Sequence, residues 1–219
     1  EKLGEVFPNM ACKIILGPDD PNIKQYFSKP MPHVEYITGG MDEVGEAMAG
    51  AMFHIGNDAG ITHVAGAFNV PSVGIYGPTG PGSWGSFSEY NELIWGKKGV
   101  CDLKCNYDVI LNCAHRICLN SITEERVLEA LYKVLLKAYP KKISQLVLNP
   151  RISVEFFETD CMIKLGENEL LLEYHTDEMK NNILNLLSDP VLIKQNSEEL
   201  EMAIEVLLRQ NVLFKVPIF

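Results

Sequence analysis

The chain has 219 residues, 47% of them apolar and 22% charged, which is an ordinary globular composition. Its net charge of −10 sets up a field that repels phosphate backbones and argues against nucleic acid as a partner, while leaving a small anionic ligand open to helix N-termini and backbone amides. No apolar run approaches the roughly 20 residues that span a bilayer and no signal peptide is visible, so no transmembrane segment is expected and the compartment expected is the cytoplasm.

Taken in chain order, residues 12–16 (CKIIL) read as a short buried strand that stops at Gly17-Pro18. Asp20 to Ser28 reads as a helix with Pro21 in its first turn. Val34 to Ile37 is a second strand, ended by Gly39-Gly40, and Met41 to Ala51 a helix. Met52 to Ile55 is a third strand. After Gly56-Asn57-Asp58-Ala59-Gly60, the apolar positions 61, 64, 65 and 68 mark a helix from Ile61 to Phe68. Ser72 to Tyr76 is a fourth strand, running into the loop GPTGPGSWG at 77–85. Strands alternating with helices over short connections predict an α/β fold, a Rossmann-like parallel sheet with crossover helices.

Residues 101–120 read as irregular. Ser121 to Tyr139 is a strong helix, with Ser121 and Glu124 at capping-box spacing and an apolar stripe of Val127, Leu128, Leu131, Val134 and Leu135. From residue 141 the character changes. Strands are predicted at 152–157 and 161–174, the second folded into a hairpin at Gly166-Glu167-Asn168, and helices at 177–188 and 197–210. The chain thus divides into residues 1–140 and a small α+β extension, 141–219, whose role the residues do not reveal.

Strand, glycine-rich loop, helix is the layout in which a parallel sheet binds ligands at the carboxyl ends of its strands. Two such loops occur, 56–60 and 77–85, after strands expected to be neighbours. The first opens a helix, whose free amides at Ala59, Gly60 and Ile61 would carry partial positive charge. Gly60 would let a phosphate approach the backbone. His63 lies off the apolar stripe, toward the crevice or solvent. The plainer reading makes Asp58 an N-cap, Gly56 and Gly60 turn residues, and His63 a solvated surface histidine. Trp84 would either stack on a ligand or pack on its own domain.

GNDAGITHVAGAFNVPSVGIYGPTGP resembles the signature of glycosyltransferase family 9, the ADP-heptose:lipopolysaccharide heptosyltransferases. That family carries N-D-[ST]-G-x-x-H-x-A, a small-residue helix, a P-x-[VT] strand and G-P-T. The resemblance covers about residues 1–140. It implies the C-terminal, nucleotide-sugar-binding lobe of a two-lobed GT-B enzyme, acting at most at the inner face of a bacterial inner membrane. The implied reaction is transfer of a sugar from ADP-heptose, with inversion, to a lipopolysaccharide or protein acceptor. By carry-over Asp58 contacts the sugar-phosphate part of the donor, the amides of Ala59 and Gly60 hold the pyrophosphate, His63 supports it, Met41 borders the adenine, and Pro78 and Thr79 match the G-P-T segment. The acceptor-binding N-terminal lobe, or a partner chain, would supply the catalytic base, so the catalytic residues are not assigned here and this chain alone would be incomplete.

Three positions depart from the pattern. Ala59 lacks the usual hydroxyl, Gly80 stands where an Asp is common, and the ribose-binding acid is either Asp19 or Asp20. The Lys expected upstream for phosphate is absent. Ala59 and Gly80 keep open an alternative of another class, a non-catalytic binding or assembly module on a degenerate donor fold.

Cys101, Cys105, Cys113 and Cys118 form two close pairs, a spacing that can close a tetrahedral site. A structural zinc or iron ion in a finger at 99–120, two disulfides, and unlinked core thiols are the three readings; cytoplasm disfavours disulfides. The finger also looks similar to an iron-binding one in some autotransporter heptosyltransferases. No metal is required for chemistry. Cys12 and Cys161 are expected to be buried small hydrophobes.

Overall fold

The computed structural model describes residues 2–7, 10–17, 33–140, 144–174, 176–188, 198–210 and 212–217. The helix expected at Asp20 to Ser28, and Asp19 and Asp20 themselves, lie outside them. In chain order the elements are α1 Lys2–Val6, β1 Cys12–Ile15, β2 Val34–Ile37, α2 Met41–Ala49, β3 His54–Asn57, α3 Gly60–Ala67, β4 Ser72–Tyr76, α4 Pro81–Trp84 and β5 Asn91–Trp95. There follow α5 Tyr107–Asn112, α6 Ile117–Asn120, α7 Glu124–Ala138, β6 Ser144–Leu148, β7 Ile152–Phe156, β8 Asp160–Leu165, β9 Asn168–Glu173, α8 Asp177–Ser188, α9 Glu198–Arg209 and β10 Leu213–Pro217.

β3, β4 and β5 form a parallel sheet with β4 in the middle, and β1 and β2 form a separate parallel pair. Parallel strands need crossover connections, and α3 supplies the one between β3 and β4. One face of the three-stranded sheet packs on α7, where Leu128, Leu131, Val134 and Leu135 are buried with Val73 and Ile94. Each such side chain contributes about 1.5–3 kcal/mol by burial. A second cluster joins Ile37 with Val44, Ala47 and Met48 of α2 and Ala65 of α3.

The remaining strands are antiparallel. β7, β8 and β9 make a meander whose tight turn uses Gly166 at φ +63, a conformation that suits glycine. Cys161 and Ile163 of β8 face Ile183, Leu187, Ile204 and Leu207 of α8 and α9. β6 pairs with β10, and β10 returns the chain to α7: the Phe214 ring lies 5.8 Å from Tyr132, within the same core that holds the parallel sheet.

Several expectations shift. β3 begins at His54 rather than Met52, and α2 ends at Ala49, where Gly50 stops it. α7 is capped by Thr123, whose Oγ1 accepts from the Arg126 amide; the Ser121 hydroxyl instead donates to the carbonyls of Gly96 and Cys118, so no Ser121–Glu124 box forms. The segment 101–120 contains two short helices, and the loop 77–85 contains α4. Phe68, expected on the buried stripe, is exposed because α3 ends one residue before it. Cys12 is exposed at the start of β1, whereas Cys161 is fully buried. Strands β5, β6 and β10 were not expected.

α7 also carries a buried ionic junction. Glu129, 8% exposed, accepts from Lys133 at 2.7 Å and from Arg151 at 2.9 Å, tying the turn before β7 to the helix. Burial pushes the Glu129 carboxyl up, but the two cationic hydrogen bonds outweigh it and hold it below its ordinary value of 4.5. A depressed carboxyl stabilises the fold above its unfolded value and loses that contribution as the pH falls through the folded one. Glu129→Gln is therefore expected to cost about 1–2 kcal/mol at neutral pH, and the difference from wild type in urea unfolding should shrink below pH 4.5. An unchanged unfolding midpoint at neutral pH would contradict this.

Candidate functional site

β3 and β4 are hydrogen-bonded neighbours in register, so the loops that leave their carboxyl ends stand side by side. The Asp58 amide donates to the Ile75 carbonyl at 3.0 Å, extending the pairing one residue beyond β3. Across the gap the Thr79 hydroxyl donates to the Asp58 carboxylate. Asp58 is thus not the N-cap of α3. The N-cap is Ala59, in extended conformation, and no side chain caps the helix start. A donor-rich helix terminus without a side-chain partner is an anion-binding arrangement. Nothing lies within 4 Å of where a Gly60 Cβ would stand, so the space in front of the terminus is open.

Gly56 does not make a turn, contrary to the plainer expectation. It is the third residue of β3, and a Cβ there would stand 2.3 Å from His54 Nε2 and 2.5 Å from Thr62 Oγ1. Its cross-strand partner Gly74 is similarly covered, by the Tyr76 ring, at 2.7 Å. His54 folds forward over Gly56 and Tyr76 folds back over Gly74. The Tyr76 hydroxyl is fully buried, and burial, reinforced by the Asp58 charge, pushes its pKa up.

The structure joins Asp58 with Thr79 and sets Ala59 and Gly60 at the open start of α3. His63 is one turn in, half-buried, its ring 6.4 Å from that of Phe87. Phe87 is 88% exposed on a segment pinned by Ser88 Oγ donating to the Val70 carbonyl and by the Glu89 amide donating to Asn69. Met41 is 60% exposed as the first residue of α2, beyond the carboxyl end of β2; Pro78 is half-buried beside Thr79. Trp84 is 58% exposed at the end of α4. His54 and Thr62 were missed by sequence reasoning. They stand on either side of IGNDAGI at 55–61, and nothing in the sequence signals that the fold joins them.

The four cysteines at 101, 105, 113 and 118 are free thiols. Among the described residues no three His, Cys, Asp or Glu side chains are placed to hold a metal ion. Cys105 Sγ instead accepts from Lys97 Nζ at 3.3 Å, and Cys118 is buried where α6 meets Gly96, whose missing Cβ leaves room for the Cys118 carbonyl. The donor set as arranged here does not fit a closed tetrahedral site.

The fold is mixed α/β with parallel strands, and two loops leave the carboxyl ends of β3 and β4 side by side. Residues 39–114 match the model of glycosyltransferase family 9 (heptosyltransferase). The chain is 37% identical over 49 residues to lipopolysaccharide heptosyltransferase 1 of Salmonella typhimurium, a stretch covering 22% of this chain and 16% of that protein. Its fold is similar to the crystal structure of a glycosyl transferase family 9 protein from Veillonella parvula, with a TM-score of 0.51 and 24% identity over 62% of this chain and 39% of that one. Residues 39–114 are therefore similar to glycosyltransferase family 9 and the fold is similar to the GT-B type, while the chain spans under half the length of either relative. Among the described residues no helix is long and apolar enough to cross a membrane.

His54 provides a test of the packing at this site. Burial pushes its pKa from 6.5 down to about 4. The neutral ring is the folded form, so stability is complete above pH 6.5 and falls as the pH drops toward about 4, by at most about 1.4 kcal/mol per pH unit for one proton. In His54→Gln this dependence should disappear over that window, as read by urea unfolding at a series of pH values; equal slopes in both proteins would show that His54 is not held neutral.

Proposed function

We propose that this chain binds the nucleotide-activated sugar donor of a heptosyltransferase-like enzyme, ADP-heptose, for inverting transfer to a lipopolysaccharide or protein acceptor. The observation that carries the reading is the uncapped start of α3 standing open beside the Asp58–Thr79 bridge. In this reading the amides of Ala59 and Gly60 hold the diphosphate and stabilise the charge that develops on it as the sugar leaves. Asp58, oriented by Thr79, contacts the sugar-phosphate part. His63, one turn into α3, supports the phosphates, Met41 borders the base, and Pro78 shapes the opposite loop. The acceptor and the catalytic base would come from an N-terminal lobe or partner chain.

Gly60→Ala separates binding from folding. The added methyl meets nothing within the chain and favours the helix, so thermal stability should be unchanged or raised. It enters the space assigned to the diphosphate, so ADP affinity by calorimetric titration should fall about tenfold, roughly 1.4 kcal/mol. Asp58→Ala should weaken ADP-sugar binding more than it weakens ADP. Undiminished affinity in both variants would place the donor elsewhere.

A second reading, a non-catalytic module on a degenerate donor fold, is favoured by Ala59, which offers no hydroxyl at the N-cap, and by Gly80, which stands at the N-cap of α4 without a side-chain cap. Wild-type protein that binds no ADP-sugar at millimolar concentration would favour it. For the segment 99–120 we propose, on cysteine spacing alone, a structural zinc or iron ion that draws the four thiols together on binding. Elemental analysis of purified protein should then find about one metal per chain, lost in single Cys→Ser variants at 101, 105, 113 and 118 but kept at 12 and 161. Metal-free protein with four titratable thiols in that segment would exclude it.

A further inference from the structure

We propose that His54 and Thr62 are positioning residues that lock the loop between β3 and α3 through a directed pair of hydrogen bonds. The functional sense of this lock rests on the donor-binding reading above, because the loop it holds is the one assigned to the diphosphate.

The direction follows from counting protons. Thr62 Oγ1 lies 2.6 Å from the Asn57 carbonyl, which can only accept, so the single hydroxyl proton is given there. Toward His54 Nε2, at 3.3 Å, the same oxygen can then only accept. Nε2 must carry a proton, and the chain runs from the imidazole N–H to the hydroxyl to the last carbonyl of β3. Thr62 is 1% exposed, so an unmade bond there would not be replaced by water. The carbonyl it fixes belongs to Asn57, one residue before Asp58 and three before Gly60. Thr62 itself lies in the first turn of α3, with its amide bonded to the Ala59 carbonyl at 3.0 Å. Both ends of the five-residue segment from Asn57 to Ile61 are therefore held by one hydroxyl, while the middle, where Asp58, Ala59 and Gly60 stand, is left without a side-chain cap.

Gly56 makes this possible. A methyl at that position would stand within 2.5 Å of both Nε2 and Oγ1 and drive the two groups apart. Burial, which keeps the imidazole neutral, agrees with a ring that donates from one nitrogen only. The arrangement gives the loop a fixed exit direction from the sheet without using any group the donor would need.

The test uses the whole chain and three variants. Thr62→Val keeps the shape and removes the hydroxyl; Thr62→Ser keeps the hydroxyl; Gly56→Ala crowds the pair while leaving both partners in place. Amide hydrogen exchange at positions 58 and 62, whose amides are bonded to the Ile75 and Ala59 carbonyls, should rise at least tenfold in Thr62→Val and in Gly56→Ala, with β4 and β5 unchanged, and should stay within about twofold of wild type in Thr62→Ser. Nitrogen NMR of His54 should report the Nε2–H tautomer in wild type and Thr62→Ser, and a redistributed tautomer in Thr62→Val. ADP affinity should fall at least fivefold in Thr62→Val and recover in Thr62→Ser. Unchanged exchange at positions 58 and 62 in Thr62→Val, or an Nδ1–H tautomer in wild type, overturns the proposal. If exchange and tautomer respond as stated but ADP binds none of the proteins, the lock stands and the donor-binding reading falls.

Discussion

The space above Gly56 is the constraint on which the loop between β3 and α3 depends. A parallel sheet covered on both faces leaves little room between strand and helix, and here the missing side chain at Gly56, matched by Gly74 on the neighbouring strand, is filled by groups folding in from His54, Thr62 and Tyr76. That filling brings α3 close enough for a hydroxyl on its first turn to bond the last carbonyl of β3. The turn between them is short and sharply directed. The opposite face of the same strands is closed by the apolar stripe of α7, so the sheet edge that presents the loops is backed by a rigid core. A site whose amides must meet an anion without reorganising needs such backing.

α7 also explains why the antiparallel part of the chain does not stand apart from the parallel part. Its buried side supports Val73 and Ile94 of the sheet and receives Phe214 from β10, and Glu129 pairs with Arg151 at the entry to β7. The ionic junction costs desolvation of a carboxylate, offset by two cationic donors.

Much of this was legible in sequence because it rests on local chemistry. Alternating apolar runs and glycine-rich breaks gave β1 to β4 with α2 and α3, and the stripe from Val127 to Leu135 gave α7. The hairpin at Gly166 followed from its turn residues. What escaped was decided by distant partners. β5 opens with Asn91 and Glu92 and becomes a strand through pairing with β4; β6 and β10 pair across some seventy residues of chain, as in Leu213 with Leu148. After β3, the N-D-x-G-x-x-H pattern marked a break between strand and helix, but it could not show that Asp58 engages Thr79 rather than capping α3, nor that Gly56 serves packing rather than a turn. The cysteine spacing allows a metal site; among the described residues no three possible ligands are grouped as a metal ion needs, and spacing alone does not fix where α5 and α6 carry the thiols.

The donor-binding proposal puts the ligand at one place, the segment from Asn57 to His63 with the facing residues Pro78 and Thr79. The most direct measurement is an amide NMR titration of the isotopically labelled chain with ADP. The account predicts saturable shifts concentrated at residues 58–63 and 78–80, with smaller ones near Met41 and none in β7 to β9. Shifts confined to the α+β extension, or spread evenly over the chain, would contradict it.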